Sequence, residues 1–216
     1  NFERYLFSES VIDNTFVEET RRTIKKEIDD ALEIAFRETH PVPDTRKETA
    51  DVYAPFTQRL VDPVSDTRSE KRFIDAISDA MRQSMERHEN LILMGQDIAE
   101  YGGVFKITEG FVDAFGKSRV RNTPLCESAI VGAGLGLSIK GMKSMIEMQF
   151  ADFVTEGFNQ IVNNLAKSNW RWGQPSDVVI RMPTGAGTAA GPFHSQSNEA
   201  WFFHTPGLKI VYPSTP

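Results

Sequence analysis

Three short segments carry side chains able to do chemistry. In NTPLCESAIVGAGLGLSIKG, residues 122–141, Glu127 stands at the head of an apolar run broken by glycines at 132, 134, 136 and 141. Burying an unpaired ion is very costly, so such an acid must find a partner or give up its charge. It could cap the following helix, worth about 0.3–1 kcal/mol at an N-terminus. It could pair with an arginine. Or it could sit in an apolar cleft, where desolvation favours the neutral acid, and exchange a proton with a ligand. In the second segment, MQFADFV, Gln149, Phe150 and Phe153 fall at the end of an expected strand. Gln149 can offer a donor and an acceptor to the edge of a heterocycle, and an aromatic ring can stack on its face; the plainer alternative buries both phenylalanines in the core. The third, TGAGTAAGPFHSQSNEAWFFHTPG, presents His194 with Ser195, Gln196 and Ser197 in a loop of small residues. Loops carry function disproportionately and His titrates nearest neutrality, although a loop histidine can equally be structural. His204, beside WFF and TPG, fits a satisfied histidine at a helix end.

Other chemistries find no pattern. GAGLG does not fit G-x-G-x-x-G, and no clear strand precedes it, so small residues for close helix packing is the better reading. GLSIKG is not the G-x-S-x-G nucleophile elbow. Histidines 40, 88, 194 and 204 and the single Cys126 lack zinc-ligand spacing. No G-x-x-x-x-G-K-[ST] phosphate loop is present.

The elements that would position these residues form an α/β pattern. From residue 69, Phe73, Ile77, Ala80, Met81 and Ser84 mark a helix face, and NLILMGQD reads as a buried strand. KSMIEMQF, DVVIRM and LKIVYP are further strand candidates, with Phe158, Ile161, Val162 and Leu165 on a helix face between the first two. Strands alternating with helices predict a mostly parallel sheet flanked by helices. Upstream, residues 15–38 read as a charged helix with a Thr15/Glu18 capping box. Its stripe of Ile24, Ile28, Ala31 and Ala35 is narrow, and Glu18/Arg22 and Glu33/Arg37 can pair along it. Prolines at 41, 43, 55 and 63 then favour an extended linker. The expected organisation is a helical arm over 1–40, a Pro-rich linker over 41–68 and an α/β domain over 69–216.

The net charge of −6 gives no basic footprint for nucleic acid or anionic membrane. No apolar run approaches the ~20 residues that span a bilayer. A lone cysteine cannot form an internal disulfide, which fits a reducing, cytoplasmic compartment. The chain begins without methionine and stops just past a strand candidate, so a piece of a longer protein is expected.

LMGQDIAEYGGVFKITEGFVDAFGKSRVRNTPLCESAIVGAGLG, MQFADF and HSQSNEAWFFHTPGLKIVYPSTP, in that order, resemble the β subunit of the thiamine-diphosphate-dependent 2-oxo acid dehydrogenases, branched-chain (2-oxoisovalerate) type. The resemblance runs over 69–216 and implies a transketolase-like pyrimidine-binding domain, truncated before the C-terminal domain of such subunits. The segment YLFSESVIDNTFVEETRRTIKKEIDDALEIAFRETHPVPDTRKETADVYAP resembles the tail of the α subunit, implying an α–β fusion whose α part precedes Asn1.

Roles follow by position. Glu127 falls on the glutamate that hydrogen-bonds a ring nitrogen of the aminopyrimidine; proton exchange there promotes the imino tautomer that deprotonates the thiazolium carbon. Phe153 falls on the ring that stacks on the pyrimidine, Leu125 and Gln149 on neighbouring cofactor contacts, and His194 on the active-site histidine linked to decarboxylation and acyl transfer. The GDG motif that holds the diphosphate and Mg²⁺ in such sites is absent from this chain, so those ligands are expected on the α part. The resemblance implies a 2-oxo acid substrate, a lipoyl-bearing acyltransferase partner, a homo-oligomer through the pyrimidine domains, and a fragment inactive alone. Two alternatives stand beside it: pyruvate as substrate, or a non-catalytic assembly module whose arm straps onto a partner.

Overall fold

The computed structural model describes residues 1–59 and 61–216; Leu60, inside the expected linker, lies outside the described residues. The chain divides into two compact units, 1–44 and 45–216.

The first unit holds α1 (Phe2–Ser8) and α2 (Asn14–Arg37), neither with a buried residue. Arg21 of α2 grips Glu3 of α1 through both carboxylate oxygens, at 2.8 and 3.1 Å. The cap of α2 is not the expected Thr15: Asp13 accepts the Phe16 N–H at 2.7 Å, so the helix begins one residue earlier. A short acid at this position satisfies an otherwise orphaned donor. The Glu33–Arg37 pair forms, whereas the Glu18–Arg22 pair does not among the described residues; Lys25–Asp29 and Lys26–Asp30 occupy neighbouring rungs.

In the second unit, α3 (Thr45–Asp51) interrupts the stretch expected to be extended. Its seven residues, TRKETAD, contain neither Pro nor Gly and include good helix formers, so the prolines at 43 and 55 bound a helix rather than preclude one. The α/β part follows as α4 (Phe73–Arg87), β1 (Leu91–Gly95), α5 (Phe111–Phe115), β2 (Val120–Asn122), α6 (Glu127–Ile139), β3 (Lys143–Glu147), α7 (Ser168–Trp172) and β4 (Val178–Arg181). Between β3 and α7 the chain winds through a 3₁₀ segment (Ala151–Gly157) and a π-helical turn (Gln160–Leu165), where an ordinary helix was expected. The four strands pair in parallel in the order β2-β1-β3-β4.

Both faces of the sheet are covered, as parallel sheets require. Leu91 and Leu93 of β1 pack with Met81, Met85, Phe111 and Val120. Met94, next to Leu93, belongs to a second cluster with Ile130, Val131, Ile146, Val154 and Ile161. That alternation is the period of two that places successive strand side chains on opposite faces.

The strand expected at LKIVYP does not form: residues 208–213 pair with no strand, and β4 ends the sheet. That segment is engaged by residues upstream of α4 instead. Tyr53 Oη donates to the Leu208 carbonyl at 3.4 Å, and the Lys209 ammonium lies 4.0 Å from the centre of the Phe56 ring. β2 was not foreseen, because its three residues, Val-Arg-Asn, bury only Val120.

Among the glycines of α6, one is essential to packing. A Cβ on Gly134 would come within 2.5 Å of Ile146 Cδ1 and 3.2 Å of Ser144 Oγ, so the helix lies directly on β3. Gly136 has open space, and Gly141 takes a left-handed φ of +79° where the chain turns toward β3.

Candidate functional site

The sheet order creates the site. The chain leaves β1 to build β2 on one side, then crosses over to build β3 on the other. Connections diverge at such a switch point, and open α/β sheets bind ligands in the resulting crevice beyond the carboxyl ends of the strands. Gln96 and Asp97 follow β1, Glu127 follows β2, Gln149 and Phe153 follow β3, and His194 follows β4. Gln149 Nε2 spans the switch point to donate to Asp97 Oδ2 at 3.2 Å.

Glu127 is the first residue of α6 and is 5% exposed. It lies on one helix face with Ile130, Val131 and Gly134, the i, i+3, i+4, i+7 positions turned to the core. As an acid in the first turn it also meets the positive end of the helix dipole. No arginine pairs with it among the described residues. Gln96 Nε2 donates to its Oε1 at 2.9 Å, and Oε2 has no hydrogen bond among the described residues. A hydrogen bond fixes this carboxylate, then, without neutralising it.

Two other buried acids border the strand ends. Glu147, in the last position of β3, pairs with Arg181 in register across to β4. Arg181 Nε donates to Glu147 Oε2 at 3.1 Å; Nη2 lies 2.8 Å from Oε1 but off the hydrogen-bond axis, so that second contact is ionic. Asp152 accepts the Gln196 N–H on Oδ1 at 3.2 Å, while its buried Oδ2 has no hydrogen-bond partner among the described residues.

His194 stands edge-on to two rings, 4.8 Å from Phe150 and 5.4 Å from Phe153 between centroids. Phe150 and Phe153 are themselves 5.9 Å apart and also edge-to-face, so Phe153 and His194 join one aromatic group. Such edge-to-face contacts hold an imidazole by its ring. Leu125 is 81% exposed, a large apolar side chain standing in the turn just before Glu127. The structure thus brings Phe153 and His194 into contact and sets Gln149 on Asp97. Glu127 is linked to this group through its helix, which packs on the 3₁₀ segment carrying Phe153; a Cβ on Gly157 would touch Val131 at 3.2 Å. An open groove of about 530 Å³ lined by Tyr53, Phe202, His204, Leu208 and Ile210 includes none of these residues.

Gln96, Asp97, Glu147, Asp152 and Arg181 were not singled out from the sequence. The available signal was polarity at strand ends: GQD directly after LILMG, and charged residues closing KSMIE and VVIR.

Known proteins were compared with the chain. The β subunit of 2-oxoisovalerate dehydrogenase from Bacillus subtilis is 48% identical over 148 residues, 67% of this chain and 45% of that protein. The mitochondrial 2-oxoisovalerate dehydrogenase subunit beta 2 of Arabidopsis thaliana is 43% identical over 159 residues, 72% of this chain and 44% of that protein. A pyruvate dehydrogenase E1 component subunit beta from Leifsonia xyli is 43% identical over 145 residues, 66% of this chain and 43% of that one. The chain therefore spans less than half the length of these relatives. Residues 69–216, which contain every strand of the sheet and every residue of the site, match the model of the transketolase pyrimidine-binding domain, and the chain belongs to that family.

Proposed function

We propose that this chain supplies the pyrimidine-binding half of the decarboxylase in a branched-chain 2-oxo acid dehydrogenase complex. The reaction would be oxidative decarboxylation of 2-oxoisovalerate with transfer of the acyl group to a lipoyl domain. The observation that carries the reading is Glu127: a buried acid with one oxygen fixed by Gln96 and the other without a hydrogen-bond partner among the described residues. The donor set suits an aminopyrimidine, because a carboxyl oxygen, the Gln149 amide, and apolar surface from Leu125 and Phe153 match its polar edge and its flat face. When bound, thiamine diphosphate supplies the nucleophilic carbon and the electron sink that decarboxylation of a 2-oxo acid requires.

The chain's own residues position and move protons. Glu127 Oε2 holds or releases a proton toward a ring nitrogen while Gln96 keeps the carboxyl from rotating. His194, seated on Phe150 and Phe153, exchanges a proton with the substrate's acyl portion. The diphosphate and Mg²⁺ ligands fall to an α part, and we read residues 1–40 as the tail of that part, joined through the linker over 41–68 to this domain; both lie outside the family match. The same reading assigns a lipoyl-bearing acyltransferase as partner, a homo-oligomer, a cytoplasmic setting, and no activity for these residues alone. The Leifsonia relative supports pyruvate as the alternative substrate, and steady-state kinetics with both acids decide between them.

The test is deuterium exchange at the reactive thiazolium carbon in the full-length protein. Glu127→Gln is expected to slow it by about a thousandfold, the middle of the range for one positioned acid–base group. Exchange at the wild-type rate would remove Glu127 from the mechanism.

A further inference from the structure

The four residues Phe150–Asp152 and Phe153 form a platform for the loop that carries His194. The outer two provide the rings against which the imidazole stands, at 4.8 and 5.4 Å. The inner two pin the chain on either side of it. Upstream, the Ala151 N–H donates to the Pro183 carbonyl at 2.8 Å. Downstream, the Gln196 N–H donates to Asp152 Oδ1 at 3.2 Å, and Asn198 Nδ2 donates to the Ala151 carbonyl at 2.9 Å. The loop closes on itself at the same place, since the Gln196 carbonyl accepts from both the Gly185 N–H and Thr184 Oγ1.

Of these ties only one is made by a buried charged side chain. Asp152 is 7% exposed, holds one N–H, and leaves Oδ2 with no hydrogen-bond partner among the described residues. A buried acid with half its hydrogen-bonding capacity unused is a poor choice for stability alone, because an unmet buried acceptor is destabilising. The platform's other ties to the loop are made by backbone or to a neutral amide, and among its described side chains the Asp152 carboxylate is the one that bonds the backbone between His194 and Asn198.

We infer that Asp152 is a positioning residue: it fixes the His194 loop by capturing the Gln196 amide, and so sets the imidazole over Phe150 and Phe153. This rests on the catalytic reading of His194, but the capture itself is measurable without catalysis. In the full-length protein, Asp152→Ala is expected to raise hydrogen exchange at the Gln196 amide about tenfold, the loss of one hydrogen bond. It should also lower kcat for 2-oxo acid decarboxylation with little change in thiamine diphosphate affinity. Asp152→Asn retains an acceptor oxygen and should return both exchange and kcat toward wild type. Should the alanine variant fail to fold, Asp152→Ser, too short to reach the amide, takes its place.

Unchanged protection at Gln196 in the truncated variant overturns the inference. So does an Asp152→Asn protein that regains protection but not rate. If His194→Ala leaves the rate intact while Gln196 still loses protection in Asp152→Ala, the role given to His194 falls and the capture of its loop stands.

Discussion

Glu127 and Glu147 are buried alike, at 5% and 4% exposure, and both stand where a strand or its following turn meets the open end of the sheet. Their partners differ. Glu147 is answered by a full positive charge, Arg181, on the adjoining strand and in register with it. Glu127 is answered by a neutral amide on one oxygen only. An acid paired with a guanidinium on the next strand ties two strands together, whereas an acid held by one amide is fixed only in its own place. The contrast separates a carboxylate that holds strands together from one to which we assign the proton exchange proposed above.

The comparison can be broken from either side. The largest expected effect is the loss of about a thousandfold in carbon deprotonation for Glu127→Gln. That variant should cost little stability, because its side-chain oxygen can still accept from Gln96; a large fall in Tm would make Glu127 structural after all. Arg181→Met comes next, expected to destabilise by about 3–5 kcal/mol in denaturant titration because it strands Glu147 in the interior. Adding Glu147→Met to that variant should recover most of the loss, since an apolar pair of similar volume is often neutral in place of a buried ion pair. Failure of the double variant to recover would mean that Glu147 has a task beyond its partner. Gln96→Leu sits lower: leaving Glu127 with neither oxygen bonded should cost about 1–3 kcal/mol and lower the exchange rate, both read on the same sample. The smallest effect belongs to the arm, where Lys25→Ala removes an exposed pair with Asp29 and should stay within about 0.5 kcal/mol.

Much of the fold was legible because it is written in contiguous apolar runs. LILMG, KSMIE and VVIR announce β1, β3 and β4, and the spacing of Phe73, Ile77 and Met81 announces α4. β2 was not, since a three-residue strand with two exposed positions has no period to read. The reverse error came at 208–213, where a β-prone run found no strand to pair with. Within the site, Glu127 was conspicuous because an acid before a charge-poor helix is anomalous in one dimension. Gln96 was not, because its meaning comes from a hydrogen bond to a residue 31 positions away. Arg181 likewise becomes meaningful only once parallel register sets it beside Glu147. Sequence carries anomalies of composition well and partnerships across the sheet poorly.

One feature of α6 reaches further than packing. Gly134 lets the helix touch down on Ile146 and Ser144, and Glu127 sits seven residues away along the same rod, roughly 10 Å at 1.5 Å per residue. That makes the helix a lever with its fulcrum at a missing methyl group. A side chain added there would tilt the rod and swing the acid at its tip away from Gln96, so the most delicate adjustment screw of the candidate site lies about two turns from the carboxyl it sets.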